Sequence, residues 1–110
     1  MTDHTSAVPQ YTFADSRAEQ EAQLRENPLL RQFRAARTAR ADDRFRPHYH
    51  FYNAHGRLND PNGLCYWQDR WHLFYQAFPP EDPRPHWGHA ISTDLVHWHD
   101  LPYALCPHPE

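Results

Sequence analysis

Apolar residues recur at helical spacing from Ser16 to about Arg40, and from Leu64 onward they alternate at the period of a strand. Ser16 followed by Glu19 makes a capping box, and Ala, Glu, Gln, Leu and Arg fill the turns behind it, which predicts a first helix. Asn27-Pro28 then reads as a fresh N-cap with proline in the first helical position, so a second helix is expected from Pro28 to about Arg40. Leu29, Leu30, Phe33 and Ala36 share one face of it, with Arg31, Arg34 and Arg37 turned mostly elsewhere as a solvated series. Residues 1 to about 15 are polar and broken by Pro9, which predicts a loose arm. No chemistry is expected of these first two helices.

Beyond Arg46 the expected elements are strands. Leu64-Cys65-Tyr66-Trp67 predicts one, Gln68-Asp69 a two-residue connection, and Trp71 to Gln76 its hairpin partner. A proline-rich loop, Phe78 to Pro85, leads to a third strand over His86 to Ser92, and a fourth is expected near Val96-His97-Trp98-His99. Four short antiparallel strands with aromatic and glycine punctuation make one propeller blade, and one blade cannot bury both its faces alone. Ahead of them, Gly56 to Leu64 reads as a constrained turn. Pro61 fixes its own φ, Asn62-Gly63 can supply positive φ, and Asp60 is held between them. By itself this string is an Asx-type turn that caps its own backbone.

Composition alters the picture in three ways. With 110 residues, 11 prolines, 3 glycines and a mean hydropathy of -0.99, the chain carries less core-forming material than a self-sufficient domain, so a fragment is expected, ending within the connection Cys106-Pro107-His108-Pro109-Glu110. A net charge of -3 gives no electrostatic reason for a nucleic-acid or membrane partner. The amino terminus lacks the basic and apolar regions of a leader, and no apolar run nears membrane length, so a cytoplasmic location is expected. Cys65 and Cys106 fit no metal spacing and read as reduced, partly buried thiols, a single bridge between them remaining open. His48/His50 and His97/His99 have a spacing that suits zinc, yet no Asp, Glu or Cys stands at a third fixed offset, so no metal is expected.

Six motifs in order carry a resemblance: Arg46-Pro47-His48-Tyr49-His50-Phe51, Asn59-Asp60-Pro61-Asn62-Gly63, His72-Leu73-Phe74-Tyr75-Gln76, Trp87-Gly88-His89-Ala90-Ile91-Ser92, Asp94-Leu95-Val96-His97-Trp98 and Leu101-Pro102-Tyr103-Ala104-Leu105. Together they resemble the opening of the glycoside hydrolases of β-fructosides, the family of invertase, sucrose-6-phosphate hydrolase, levanase and inulinase. The resemblance covers about residues 44 to 110 and not the helices. It implies an all-β fold, a five-bladed β-propeller followed by a C-terminal β-sandwich. Residues 44–110 would be the first blade, with the remaining blades and the sandwich outside this chain, and residues 1–43 an added arm and α-helical extension.

The same resemblance implies that Asp60 is the nucleophile that attacks the anomeric carbon of a fructosyl unit. It implies that Asn59 and Gln76 hydrogen-bond the fructosyl hydroxyls, and that Trp87 either walls the pocket or packs between blades. A retaining glycosidase needs a second carboxyl group roughly 5 to 5.5 Å away, and Asn59 together with turn amides would favour the ionised Asp60. The family's acid/base Glu sits in a Glu-Cys pair and its transition-state Asp in an Arg-Asp-Pro triplet. Neither occurs here, where the only Glu residues after Arg46 are Glu81 and Glu110, so this stretch alone is expected to be inactive. His89 is expected to be a structural hydrogen-bonding residue. Where many relatives have Gly-Trp-Met this chain has Gly56-Arg57-Leu58, and the loop before Trp87 is shorter. Arg57 there either faces solvent or offers a charge to an acidic or phosphorylated substrate.

The expected function is thus retaining hydrolysis of terminal β-fructofuranosides such as sucrose or short fructans, with no cofactor and a small carbohydrate as partner. Two alternatives stand beside it. One is an inverting arabinofuranoside hydrolase, with carboxyl groups roughly 6.5 to 9.5 Å apart. The other is a carbohydrate-binding relative without catalysis.

Overall fold

The computed structural model describes residues 5–45, 51–53 and 55–108, and in it two helices precede a four-stranded sheet. Helix α1 spans Arg17–Glu26 and α2 spans Pro28–Ala39. The Ser16 hydroxyl accepts from the Glu19 amide at 3.3 Å, the first half of the capping box, and donates to the Glu19 carboxylate at 2.7 Å, which takes the hydroxyl in place of the Ser16 amide. Asn27 ends one helix and starts the next. Its backbone N–H donates to the Gln23 carbonyl, while its Oδ1 accepts from the amides of Leu29 and Leu30. No described helix is long and apolar enough to cross a membrane.

The strands are β1 (Arg57–Trp67), β2 (Arg70–Phe78), β3 (His86–Ser92) and β4 (His99–Leu105), antiparallel and in the order β1-β2-β3-β4. The Gln68-Asp69 hairpin turn has φ of 51° and 62°, the left-handed pair that a two-residue turn needs to match the strand twist. The expected third strand is found as read. The fourth is not: Val96-His97-Trp98 lies outside the sheet. Asp94 Oδ1 accepts the amides of Val96 and His97, and Ser92 Oγ accepts those of Asp94 and Leu95, so these donors are unavailable to a ladder. Pairing resumes at His99, and β4 contains the Leu101 to Leu105 motif.

The two sheet faces differ. On one, Tyr75, Ala77, Ala90 and Tyr103 are buried together with Leu29, Leu30 and Phe33 of α2, and Phe33 meets the Tyr103 ring edge-on at 5.8 Å. Phe51 fills the same side, 5.0 Å from Tyr75 and 5.7 Å from Trp98. Gly88 lies here for a steric reason: a Cβ would come within 2.3 Å of the Tyr75 ring.

Two expectations about the amino-terminal part need correction. The arm is not loose over its described residues. Val8 is 3% exposed within the core, Ser6 Oγ donates to His86 Nε2 at 2.6 Å, and the Ala7 amide donates to Asp82. The Ser6 direction follows from His86 Nδ1, which must carry the proton to donate to the Arg84 carbonyl. Arg37 is not part of a solvated series either. Its guanidinium grips buried Asp100 with two bonds of 2.7 and 2.9 Å, donates to the Tyr52 carbonyl and covers the Tyr52 ring at 4.5 Å. Buried Arg70 likewise reaches back to Gln20 and Glu21. A polar clamp therefore fastens each helix to the sheet, because a guanidinium buried without a carboxylate or carbonyl would be costly.

Candidate active site

Counted back from the Gln68-Asp69 turn without interruption, Gln76 would stand opposite Pro61, and Asp60 opposite Ala77 on the buried face. The ladder is interrupted twice. Asn59 pairs with Gln76 but Pro61 with Tyr75, which leaves Asp60 as an extra residue. Asn62 pairs with Phe74 but Cys65 with His72, and Gly63 in this second bulge has φ 59°. The expected turn around Asp60 is thus a doubly bulged strand. Proline, and Asn-Gly with its positive φ, serve a bulge as well as a reversal, which is why the motif reads as a turn.

These insertions assemble the site. Gln76 pairs with Trp87 across β2 and β3 as well as with Asn59 across β1 and β2, so Asn59, Gln76 and Trp87 form one transverse row. Directly opposed residues project from the same face, with Cβ atoms about 4.5–5.5 Å apart. Asp60, released from the alternation that would have sent it toward Ala77 at 0% exposure, is exposed at the end of that row. The hydrogen bonds expected at its carboxylate are not made: Asn62 Nδ2 donates to the Asp60 backbone carbonyl, and no described group donates to its side chain. Trp87, 37% exposed, sits 6.2 Å from Phe74.

The next row on the same face is Asn62, Phe74 and His89, and Phe74 stacks on His89 at 4.3 Å. Sequence reading missed Phe74 and Asn62 as neighbours of the site. Alternation along His72, Phe74, Gln76 and Phe78 could have flagged Phe74, whereas Asn62 depends on both bulges. The His89 expectation holds. His72 Nε2 must be protonated to donate to the Trp67 carbonyl at 3.1 Å, so its Nδ1 accepts from His89 Nε2 at 2.9 Å. Burial lowers the basicity of both rings, pushing His89 down to about 3 with the adjacent His72 adding to the effect. A neutral His89 stacked behind Phe74 stiffens the wall next to Trp87.

Two glycines set the edges. Gly56 has φ 99°, and a Cβ there would lie 2.4 Å from the Phe78 carbonyl oxygen, so the start of β1 can close on the end of β2 only without a side chain. Gly63 supplies the second bulge. Among the described residues no three His, Cys, Asp or Glu side chains gather as a metal site, and His97 Nδ1 is engaged by Asp94. His48 and His50 lie outside the described residues. Cys65 and Cys106 are unbridged, and Cys65 is exposed where a partly buried thiol was expected.

The geometry can be set beside known proteins. The profile of the glycosyl hydrolases family 32 N-terminal domain matches residues 50–110. The sucrose-6-phosphate hydrolase of Escherichia coli is 45% identical over 73 residues, covering 64% of this chain and 15% of that protein. The levanase of Bacillus subtilis strain 168 is 47% identical over 75 residues, covering 66% of this chain and 11% of that one. The chain therefore spans a small part of these relatives' length. A variant of the Bombyx mori family 32 β-fructofuranosidase in complex with sucrose superimposes with a TM-score of 0.57 at 38% identity, over 76% of this chain and 19% of that structure. That coverage is more than residues 44–110 can supply, so the likeness in structure reaches into the amino-terminal part, where none was expected.

Proposed function

The chain belongs to family 32 of the glycosyl hydrolases, and on that premise we propose that the protein hydrolyses terminal, non-reducing β-fructofuranosides such as sucrose or short fructans, with retention of configuration. Asp60 attacks the anomeric carbon as the glycosidic C–O bond breaks. The leaving oxygen takes its proton from a second carboxyl group, expected from the family resemblance in a Glu-Cys segment outside residues 1–110. Water then cleaves the fructosyl ester on Asp60 and regenerates the carboxylate. Asn59 and Gln76 hold the fructosyl hydroxyls, and the Trp87 ring closes one side of the pocket. The observation that carries this reading is the Asn59-Gln76-Trp87 row with Asp60 bulged out at its end. A cytoplasmic location belongs to the same proposal, supported by the unbridged cysteines.

The test is release of fructose from sucrose and short fructans by the complete gene product and by its Asp60→Asn variant. The variant is nearly isosteric and is expected to lose about three orders of magnitude or more in kcat with the fold intact. A variant that releases fructose at the parent rate would remove Asp60 from the mechanism.

A further inference from the structure

A bulge uncouples the two stretches of ladder that it separates. β1 is an edge strand, and two interruptions divide its pairing with β2. The Gln68-Asp69 turn fixes the register of the stretch beside it, Cys65 to Trp67, but that register is not carried past the interruptions. Three pairs lie upstream of Asp60: Arg57 with Phe78, Leu58 with Ala77 and Asn59 with Gln76. If these slipped by one residue, Asp60 would stand against Gln76 and Asn59 would turn toward buried Ala77, closing the bulge and dismantling the row. The register of this short stretch has to be set from its upstream side.

Helix α2 supplies the hold. Arg37, in its last turn, grips Asp100 of the opposite edge strand β4 with a desolvated two-bond contact and donates from the same guanidinium to the Tyr52 carbonyl at 2.8 Å. That plane also covers the Tyr52 ring at 4.5 Å and lies 5.4 Å from the Phe51 centroid. One turn earlier, Phe33 meets the His55 ring at 5.7 Å, and His55 is bonded in turn to Glu81 at 2.6 Å. Asn53 links these anchors to β1: its Nδ2 donates to the carbonyls of His55 and Arg57, and its Oδ1 accepts the His55 amide. Gly56 closes on the Phe78 carbonyl, where a Cβ would come within 2.4 Å, and the Arg57 guanidinium covers the Phe78 ring at 4.4 Å. Contacts thus run without a gap from Arg37 to the first pair of β1, and Asp100 gives them a fixed reference in the sheet itself.

We propose that Arg37 is a positioning residue: through Tyr52 and Asn53 it sets the register of the three pairs ahead of the Asp60 bulge, so that the amino-terminal extension aligns the candidate site. Its catalytic consequence rests on the hydrolase reading above. The complete gene product is compared with Arg37→Met, with Arg37→Lys, and with Arg37→Met combined with Asp100→Asn, which keeps the fold by leaving no lone buried carboxylate. Arg70→Met serves as the comparator, because the Arg70 clamp holds α1 beside the hairpin turn, where the turn already sets the register. Fructose release from sucrose and hydrogen exchange of peptides spanning 51–61 and 64–78 are measured where urea titration shows every variant folded. Both Arg37→Met forms are expected to lose about ten-fold or more in kcat/KM and to exchange faster over 51–61 alone. Arg37→Lys, which can still donate to Asp100 and to the Tyr52 carbonyl, should recover part of both, and Arg70→Met should show neither. Equal losses in Arg37→Met and Arg70→Met overturn the proposal, as does a double variant with kcat/KM or exchange over 51–61 unaltered. A parent that releases no fructose removes the hydrolase reading instead, and the exchange pattern then decides on the register by itself.

Discussion

Acidification provides the sharpest check on the wall behind the candidate site. His89 donates to His72, which donates to the Trp67 carbonyl, and the His89 ring is stacked on Phe74. Burial first, and the neighbouring His72 second, push His89 down to about 3 from an ordinary 6.5. The unfolded chain therefore takes up a proton near pH 6.5 that the native state refuses until about pH 3, so stability is intact above that window and lost as pH falls through it. One pH unit inside the window corresponds to about 1.4 kcal/mol. Between pH 7 and pH 5 the loss from His89 comes to about 2 kcal/mol by the same linkage relation. His72, also lowered by burial, acts in the same direction. Asp82 and Asp94 are held below the ordinary carboxylate range by Arg84 and His97 respectively, and their contributions are lost only as pH falls below about 4. The assay is urea unfolding followed by tryptophan fluorescence at pH 7, 6 and 5, for the parent and for His89→Gln, which keeps a donor toward His72. The difference in stability between the two should shrink by about 2 kcal/mol over that range. Parallel losses in parent and variant would refute the assignment of a neutral, buried imidazole at 89.

Three further outcomes are expected. Gly88→Ala would place a methyl group 2.3 Å from the Tyr75 ring, which is buried against Phe51; destabilisation of about 1–3 kcal/mol in urea, with the adjacent Gln76 disturbed, should show as both a lower midpoint and a higher KM. Tyr103→Phe should be neutral or stabilising by up to about 1 kcal/mol, since the Tyr103 hydroxyl is buried without a hydrogen-bond partner among the described residues while the ring keeps its contact with Phe33; a marked loss of stability in the same titration counts against that orphaned group. Asp69→Gly, at φ 62° in the hairpin turn, should raise stability by about 0.5 kcal/mol, and a lower unfolding midpoint would contradict the strained-turn assignment.

Much of the fold is legible where local chemistry and tertiary packing agree. Ser16, Asn27 and Pro28 specify two helix starts by hydrogen bonds and a fixed φ within four residues, and the bounds of β3 follow from its alternation between two turns. The misreadings share a cause. Val96 to His99 has strand composition, but Ser92 and Asp94 claim its amides first, a competition that periodicity does not register. Arg37 looks like a solvent-facing residue because its partner, Asp100, is 63 positions away. The candidate site divides along the same line. Asn59, Asp60, Gln76 and Trp87 can be picked out by motif, yet their alignment depends on two inserted residues, which a count from the hairpin turn cannot foresee.

The bulge at Asp60 implies that the fold has no use for that residue. Asn59 and Pro61 already pair with consecutive positions of β2, so loss of a single codon at 60 would heal the first interruption of the ladder and leave the Asn59-Gln76-Trp87 row in place. The proposed catalytic role and the architecture are thereby decoupled at this position. If the proposed function holds, a descendant lacking the carboxylate could keep the same row of side chains and persist as a lectin-like binder, one residue shorter and little changed in shape.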